Sequence, residues 1–222
     1  MRRYIEILFE EQRTVVVDYS IGNVYLNIII FIMSKVNTQR LGDAAWAKMS
    51  RCNSELFTLT YGAMVTQLIR DYEDITVVNQ QLEKMGHNIG TRIIDEFLSK
   101  SGMVGNCSSF RETAEVLAKA AFKMFLGIQA EVTSWNSEGT VFTLVLPTDN
   151  PFVDFVELPP QYSELQYCGL LCGVITGALE MVQMKVECRF IRDVLKGDEV
   201  SEMRVELKGM MKTEMDAEYK EN

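Results

Sequence analysis

Few residues in this chain are placed to do chemistry, and Cys107 is the best of them. It sits in the loop Ser101-Gly102-Met103-Val104-Gly105-Asn106-Cys107-Ser108, just ahead of a predicted helix N-terminus. Unpaired backbone N–H groups and the positive end of the helix dipole favour a thiolate there. No general base or oxyanion partner accompanies it, so acceptance of an acyl group suits it better than turnover; an ordinary loop cysteine is the other reading. His87 is the single histidine. One histidine cannot build a metal site, and no spacing brings it to a cysteine, so it reads as an exposed or hydrogen-bonded helical residue. Cys168 and Cys172 stand four apart on an apolar helix without two further ligands nearby, the pattern of small buried hydrophobes. No glycine-rich loop ends in Lys-Ser/Thr, which leaves nucleotide phosphates without a P-loop.

The elements that must position Cys107 follow from periodicity. The most informative is the helix predicted from about Tyr162 to Gln183, nearly all apolar, with Gly169, Gly173 and Gly177 along one side. Each mid-helix glycine costs about 1 kcal/mol relative to alanine, so a close neighbour must offset the loss. That neighbour is either another helix backbone or a ligand chain, with Leu171, Val174, Ile175, Ala178, Leu179 and Val182 packing on the other sides. Phe57, Tyr61, Met64, Leu68 and Tyr72 predict a helix from Asn53 or Ser54 to near Asp71. Val78, Leu82, Met85, Ile89, Ile93 and Phe97 predict a second, again with a glycine pair, Gly86 and Gly90. Ser109 and Glu112 form a capping-box pattern before a third, whose apolar face is Phe110, Ala114, Leu117, Ala118, Ala121 and Phe125 and whose end is Gly127.

The period then becomes two. Glu131–Trp135 and Val141–Leu146 read as strands joined across Asn136-Ser137-Glu138-Gly139. Beyond the glycine-rich helix, Val186, Cys188 and Phe190 alternate with Lys185, Glu187 and Arg189, and Met203, Val205 and Leu207 with Glu202, Arg204, Glu206 and Lys208. One buried and one wet face predict an antiparallel sheet covered by helices on a single side. The fold class expected is therefore α+β: four main helices on one face of a twisted four-stranded antiparallel sheet.

At 222 residues the chain is long enough for one domain with appendages. Its net charge of −9, spread along the sequence, argues against nucleic acid as a partner. Five cysteines without a paired framework fit a reducing cytosol. The apolar run Val24–Ile32 is too short to span a bilayer. Residues 1–32 are β-prone and foreign in composition to the rest of the chain, which suggests that Met33 is the biological start and the extension a gene-model artefact; a true extra strand or peripheral anchor is the alternative.

Six blocks in order resemble a known family. They are Ser54–Ala63 (SELFTLTYGA), Met85–Gly90 (MGHNIG), Phe110–Glu115 (FRETAE), Phe122–Gly127 (FKMFLG), Asn150–Pro159 (NPFVDFVELP) and Gly177–Val182 (GALEMV). Together they are similar to the subunit 3 type of the TRAPP (transport protein particle) vesicle-tethering complex, from Ser54 to about Leu207. The resemblance implies the same α+β fold and a non-enzymatic core scaffold subunit. It implies pairing through a helical surface, with itself or with other small TRAPP subunits. The assembled complex tethers vesicles between endoplasmic reticulum and Golgi and promotes guanine-nucleotide exchange on a Rab GTPase, so the implied location is cytoplasmic and peripheral at cis-Golgi and endoplasmic reticulum membranes.

The resemblance also implies a palmitoyl group, or a similar acyl group, thioester-linked to Cys107 and held in an internal channel, with no other cofactor and no metal. Gly86, Ala114, Ala118, Gly169, Gly173 and Gly177 are the residues expected to line that channel. Burial of roughly fourteen methylenes at ~0.8 kcal/mol each would contribute on the order of 10 kcal/mol at most, making the lipid part of the core rather than a membrane anchor.

Two departures accompany the match. Thr176 stands where relatives commonly carry arginine, and residues 1–32 have no family counterpart. The acidic end, residues 213–222, approaches the Rab nucleotide site in the family, which makes Glu214, Asp216 and Glu218 candidates for assisting nucleotide release; a solvated tail is the alternative. The expected division is thus an extension (1–32), a flexible arm (33–53), a TRAPP-type domain (54–212) and an acidic tail (213–222). Rival readings are a stand-alone small-ligand sensor and an acyl-thioester enzyme using Cys107.

Overall fold

The structure, a computed structural model, describes residues 4–7, 15–18, 37–103, 107 and 109–211. Within the β-prone extension, β1 (Tyr4–Ile7) and β2 (Val15–Asp18) pair as an antiparallel ribbon with Tyr4 opposite Asp18. The remainder of that extension, and Glu214, Asp216 and Glu218, lie outside the described residues.

The expected flexible arm needs correction, because residues 37–48 form a helix, α1. Leu41, Ala45 and Met49 are spaced four apart, and Ala45 is fully buried against Phe97, Val116, Ala120 and Met124. That spacing was available in the sequence, but the surrounding polar residues obscured it.

Helix α2 (Ser54–Tyr72) is capped by Asn53, whose side chain accepts from the Leu56 amide. It ends where Glu73 takes a left-handed conformation. Asp74 then caps α3 (Ile75–Ser101) by accepting from the Thr76 amide, and Gly102, at φ +76°, ends it. The third predicted helix is interrupted. Helix α4 (Phe110–Val116) runs into a π-helical turn (Leu117–Ala121) and then α5 (Phe122–Leu126), closed by Gly127 at φ +74°. The wider turn leaves the Ala118 carbonyl to accept from the Ala130 amide, and Lys119 Nζ donates to the Ala130 carbonyl. The chain leaving α5 is thereby tied back to the helix.

The glycine-rich helix α6 (Gly169–Met181) starts seven residues later than periodicity predicted. Pro160–Tyr162 takes a 3-10 turn instead. Asn79 of α3 then occupies the backbone that an earlier start would need: its side chain donates to the Glu164 carbonyl and accepts from the Gln166 amide.

The strands β3 (Glu131–Thr133), β4 (Val141–Leu146), β5 (Met184–Arg192) and β6 (Ser201–Met210) form one antiparallel sheet in the order β3-β4-β6-β5. Strand β3 is shorter than expected because Ser134 adopts a left-handed conformation, sending Trp135 out of the strand to pack on Phe110 and Phe142. Across the sheet, Leu144 faces Met203, which faces Phe190, and Phe142 faces Val205, which faces Cys188. These inward residues join Leu171, Cys172, Ile175 and Leu179 of α6 in the main core. The α+β architecture expected from alternation is the one observed, with β4 buried on both faces as the exception.

Candidate functional site

The glycines of α3 and α6 face each other, and the groove they make is filled by protein. A Cβ on Gly86 would stand 2.0 Å from the Leu170 carbonyl oxygen, and one on Gly90 would stand 2.3 Å from that of Val174. From the other side, a Cβ on Gly173 would stand 2.0 Å from the Glu83 oxygen, and one on Gly177 would stand 2.3 Å from that of His87. The contacts advance along both helices together, so α3 and α6 run parallel with their backbones touching. Across this seam His87 Nε2 and Glu180 Oε2 are 2.5 Å apart, giving the lone histidine the hydrogen-bonded role expected of it.

A separate apolar cavity of about 360 Å³ lies between α3, α6 and the α4–π–α5 segment. Its walls include Ile93 and Phe97 of α3, Leu117 and Ala121 of the π turn, and Val174 and Ala178 of α6. Cavity residues on α6 extend from Leu170 to Leu179, about 14 Å of helical rise, with Val182 just beyond the helix end. Phe57 and Phe152, in edge-to-face contact at 5.0 Å, belong to the Leu170 end. Cys107 also lines the cavity and packs among Ile94, Phe97 and Met103 around the C-terminal part of α3. Because α3 and α6 are parallel, that is the Val182 end.

None of the six residues expected to line a channel does so. Gly86, Gly173 and Gly177 are consumed by the α3–α6 seam, Gly169 faces Gln166, and Ala114 and Ala118 are fully buried in the main core. The cavity is instead walled by residues that periodicity assigned to packing. Their one distinguishing signal was that α6 is apolar on every side, more apolar surface than a single sheet contact requires.

The thiol of Cys107 also differs from expectation. Burial raises its pKa, the nearby Glu112 carboxylate raises it further, and a side-chain hydrogen bond with Thr113 opposes both only in part. The α4 N-terminus is already served by Ser109, whose hydroxyl accepts from the Glu112 amide. These surroundings favour the neutral thiol over the thiolate that a helix-terminus position suggests. Cys168, Cys172 and Cys188 are buried, as the two helical ones were expected to be. Among the described residues no cluster of His, Cys, Asp or Glu is arranged to hold a metal ion.

Comparison with known proteins fits this geometry. Residues 57–206 match the family described as transport protein particle (TRAPP) component. The trafficking protein particle complex subunit 3 of Dictyostelium discoideum is 57% identical over 173 residues, covering 78% of this chain and 92% of that protein. Subunit BET3 of Saccharomyces cerevisiae is 44% identical over 178 residues, covering 79% and 91%. The crystal structure of a subunit 3 from Naegleria fowleri, covalently bound to palmitic acid, superposes with a TM-score of 0.69 at 52% identity, covering 72% of this chain and 98% of that one. This chain belongs to the TRAPP component family, where its relatives are subunit 3 proteins.

Proposed function

We propose that this protein is a core scaffold subunit of a TRAPP complex that carries a palmitoyl or similar acyl chain, thioester-linked to Cys107 and enclosed in the apolar cavity. The observation that carries the reading is the cavity itself, which reaches the Cys107 thiol and is otherwise walled almost wholly by hydrocarbon. The covalently bound palmitic acid of the Naegleria relative supports it. Acyl transfer from a thioester donor forms the new C–S bond at Cys107, breaks the donor's C–S bond and releases the donor thiol with the proton Cys107 gives up. One such event per chain is enough; no catalytic cycle follows.

Within the complex the subunit pairs with itself or with another small TRAPP subunit. The exposed apolar residues Leu56 and Leu59 of α2 and the neighbouring Phe155, the last 87% exposed, support a docking surface there. Vesicle tethering between endoplasmic reticulum and Golgi, peripheral Golgi association and exchange on a Rab GTPase are properties of the assembly in this reading. Among the described residues no helix is long and apolar enough to cross a membrane, and a buried acyl chain would not anchor one either.

Protein isolated from its own host should show an acyl mass increment that neutral hydroxylamine removes and that Cys107→Ser lacks. It should also co-purify with other TRAPP subunits. An unmodified mass would remove the lipid from the reading, and purification without other subunits would remove the scaffold role. An extractable, non-covalent ligand would favour the small-ligand sensor.

A further inference from the structure

We propose that α1 is a brace for the acyl cavity, with Trp46 as the positioning residue that holds the cavity's outer wall in place. The inference rests on the reading that Cys107 is acylated. It starts from the face α1 presents: Leu41, Gly42, Ala45, Trp46 and Met49 are at least half-buried or in contact with the body of the protein, while Asp43, Ala44, Ala47 and Lys48 are exposed. This is an amphipathic helix whose apolar stripe is fully used.

That stripe is applied to the outer side of the cavity wall. A Cβ on Gly42 would stand 2.4 Å from the Lys119 carbonyl oxygen and 3.0 Å from the Ala120 Cα, so the α1 backbone rests directly on the π turn. Four residues on, the Trp46 ring covers Gly127, where a Cβ would come within 2.9 Å of it. Arg51 and Lys123 place their charges 5.4 Å and 5.8 Å from the ring centre. The ring thus holds the C-terminal end of α5. Between these two points Ala45 packs in the same cluster as Phe97, Val116, Ala121 and Phe125, all four of which also line the cavity. Cys107 packs against this same cluster, so α1 supports residues that also surround the thiol.

A π turn is a rare, single-turn departure from α-helical bonding that occurs mostly inside α-helices and often at functional sites. Here Leu117 and Ala121 of that turn face the cavity, and α1 packs on the backbone between them. Releasing α1 would free the turn to relax and expose Phe97 and Val116 from behind. The seal around the acyl group would loosen without any cavity residue having been changed.

The experiment uses the full-length acylated protein and follows, by intact mass, the rate at which hydroxylamine removes the acyl group under native conditions. Trp46→Ala should accelerate release at least tenfold, and Trp46→Phe should restore a rate near wild type. The melting temperatures of acylated and deacylated forms should converge in Trp46→Ala, because the chain no longer sits in a closed site. If Trp46→Ala fails to fold, Gly42→Ala, which lifts α1 from the π turn, gives the same readouts. An acylated wild type whose variants keep the wild-type release rate, with equal melting losses in both forms, overturns the brace and leaves the lipid reading standing. A wild-type protein that carries no acyl group overturns both.

Discussion

A methyl carbon on Gly173 would stand 2.0 Å from the carbonyl oxygen of Glu83, well inside van der Waals contact and against backbone that cannot swing aside. The glycine stripe of α6 is therefore the place where two helices meet, and its loss of helix propensity is offset by close backbone packing.

Gly173→Ala should accordingly destabilise the fold whether or not an acyl chain is present. The helices must separate, and overpacking of this kind costs roughly 1–3 kcal/mol or more. Urea denaturation of acylated and deacylated protein should show similar losses in both. A loss confined to the acylated form would place the lipid along the glycines after all.

Ala178→Phe has the opposite signature. Ala178 faces the cavity, so a phenyl ring there takes volume from the ligand while adding apolar contacts to the empty protein. Acyl retention measured by mass should fall sharply, with the melting temperature of the unacylated protein held or raised. Full retention would show that the chain runs elsewhere.

Leu59 is 71% exposed on α2, so Leu59→Asp should change the stability of an isolated protomer by no more than about 0.5 kcal/mol. A pairing surface at this position would instead bury the new carboxylate. Sedimentation should then show the wild type as a dimer and the variant as a monomer; a variant that still dimerises would move the interface off this face.

Alkaline pH should weaken the fold before neutral or mildly acidic pH does. Burial pushes up the phenols of Tyr61 and Tyr167, the latter to about 12, and the thiol of Cys168. The Cys188 thiol is raised first by its hydrogen bond with Cys172 and then by burial. Each is an acid whose folded pKa lies above its unfolded one, so the unfolded chain loses its proton first as pH rises. Their contribution is complete below the unfolded values, roughly pH 8.5 for thiols and 10 for phenols. Above them stability should fall by up to about 1.4 kcal/mol per pH unit for each proton retained only in the native state. Urea midpoints should be flat from pH 6.5 to 8 and decline steadily from 8.5 to 11; a flat profile to pH 11 would contradict the burial of these groups.

How the chain divides between helix and strand was written in its periods. Alternation at Val186–Phe190 and Met203–Leu207 set the buried face of the sheet, and Asn53, Ser109 and Gly127 marked helix ends that the structure reproduces. Cys107 stood out as a candidate, because a cysteine in a loop before a helix is conspicuous in a sequence otherwise short of nucleophiles, and the structure has it lining the cavity. Local rules suffice for such features, since capping, turn geometry and amphipathicity act within a few residues.

The identity of the cavity was not legible, and the reason is physical. A stripe of glycines states that something approaches closely but not what, and only the meeting of α3 with α6 decided that it was backbone. Likewise Phe97, Val116 and Ala121 have the same sequence signature whether they touch one another or surround a void. The start of α6 was decided by Asn79, more than eighty residues away, and the ionisation of Cys107 by burial that no helix-terminus rule contains. The sequence by itself determined which residues are apolar and where the helices that follow Asn53 and Ser109 begin to turn. Tertiary structure alone decided which apolar surfaces were left facing empty space, because a cavity is a relation among several elements and belongs to none of them.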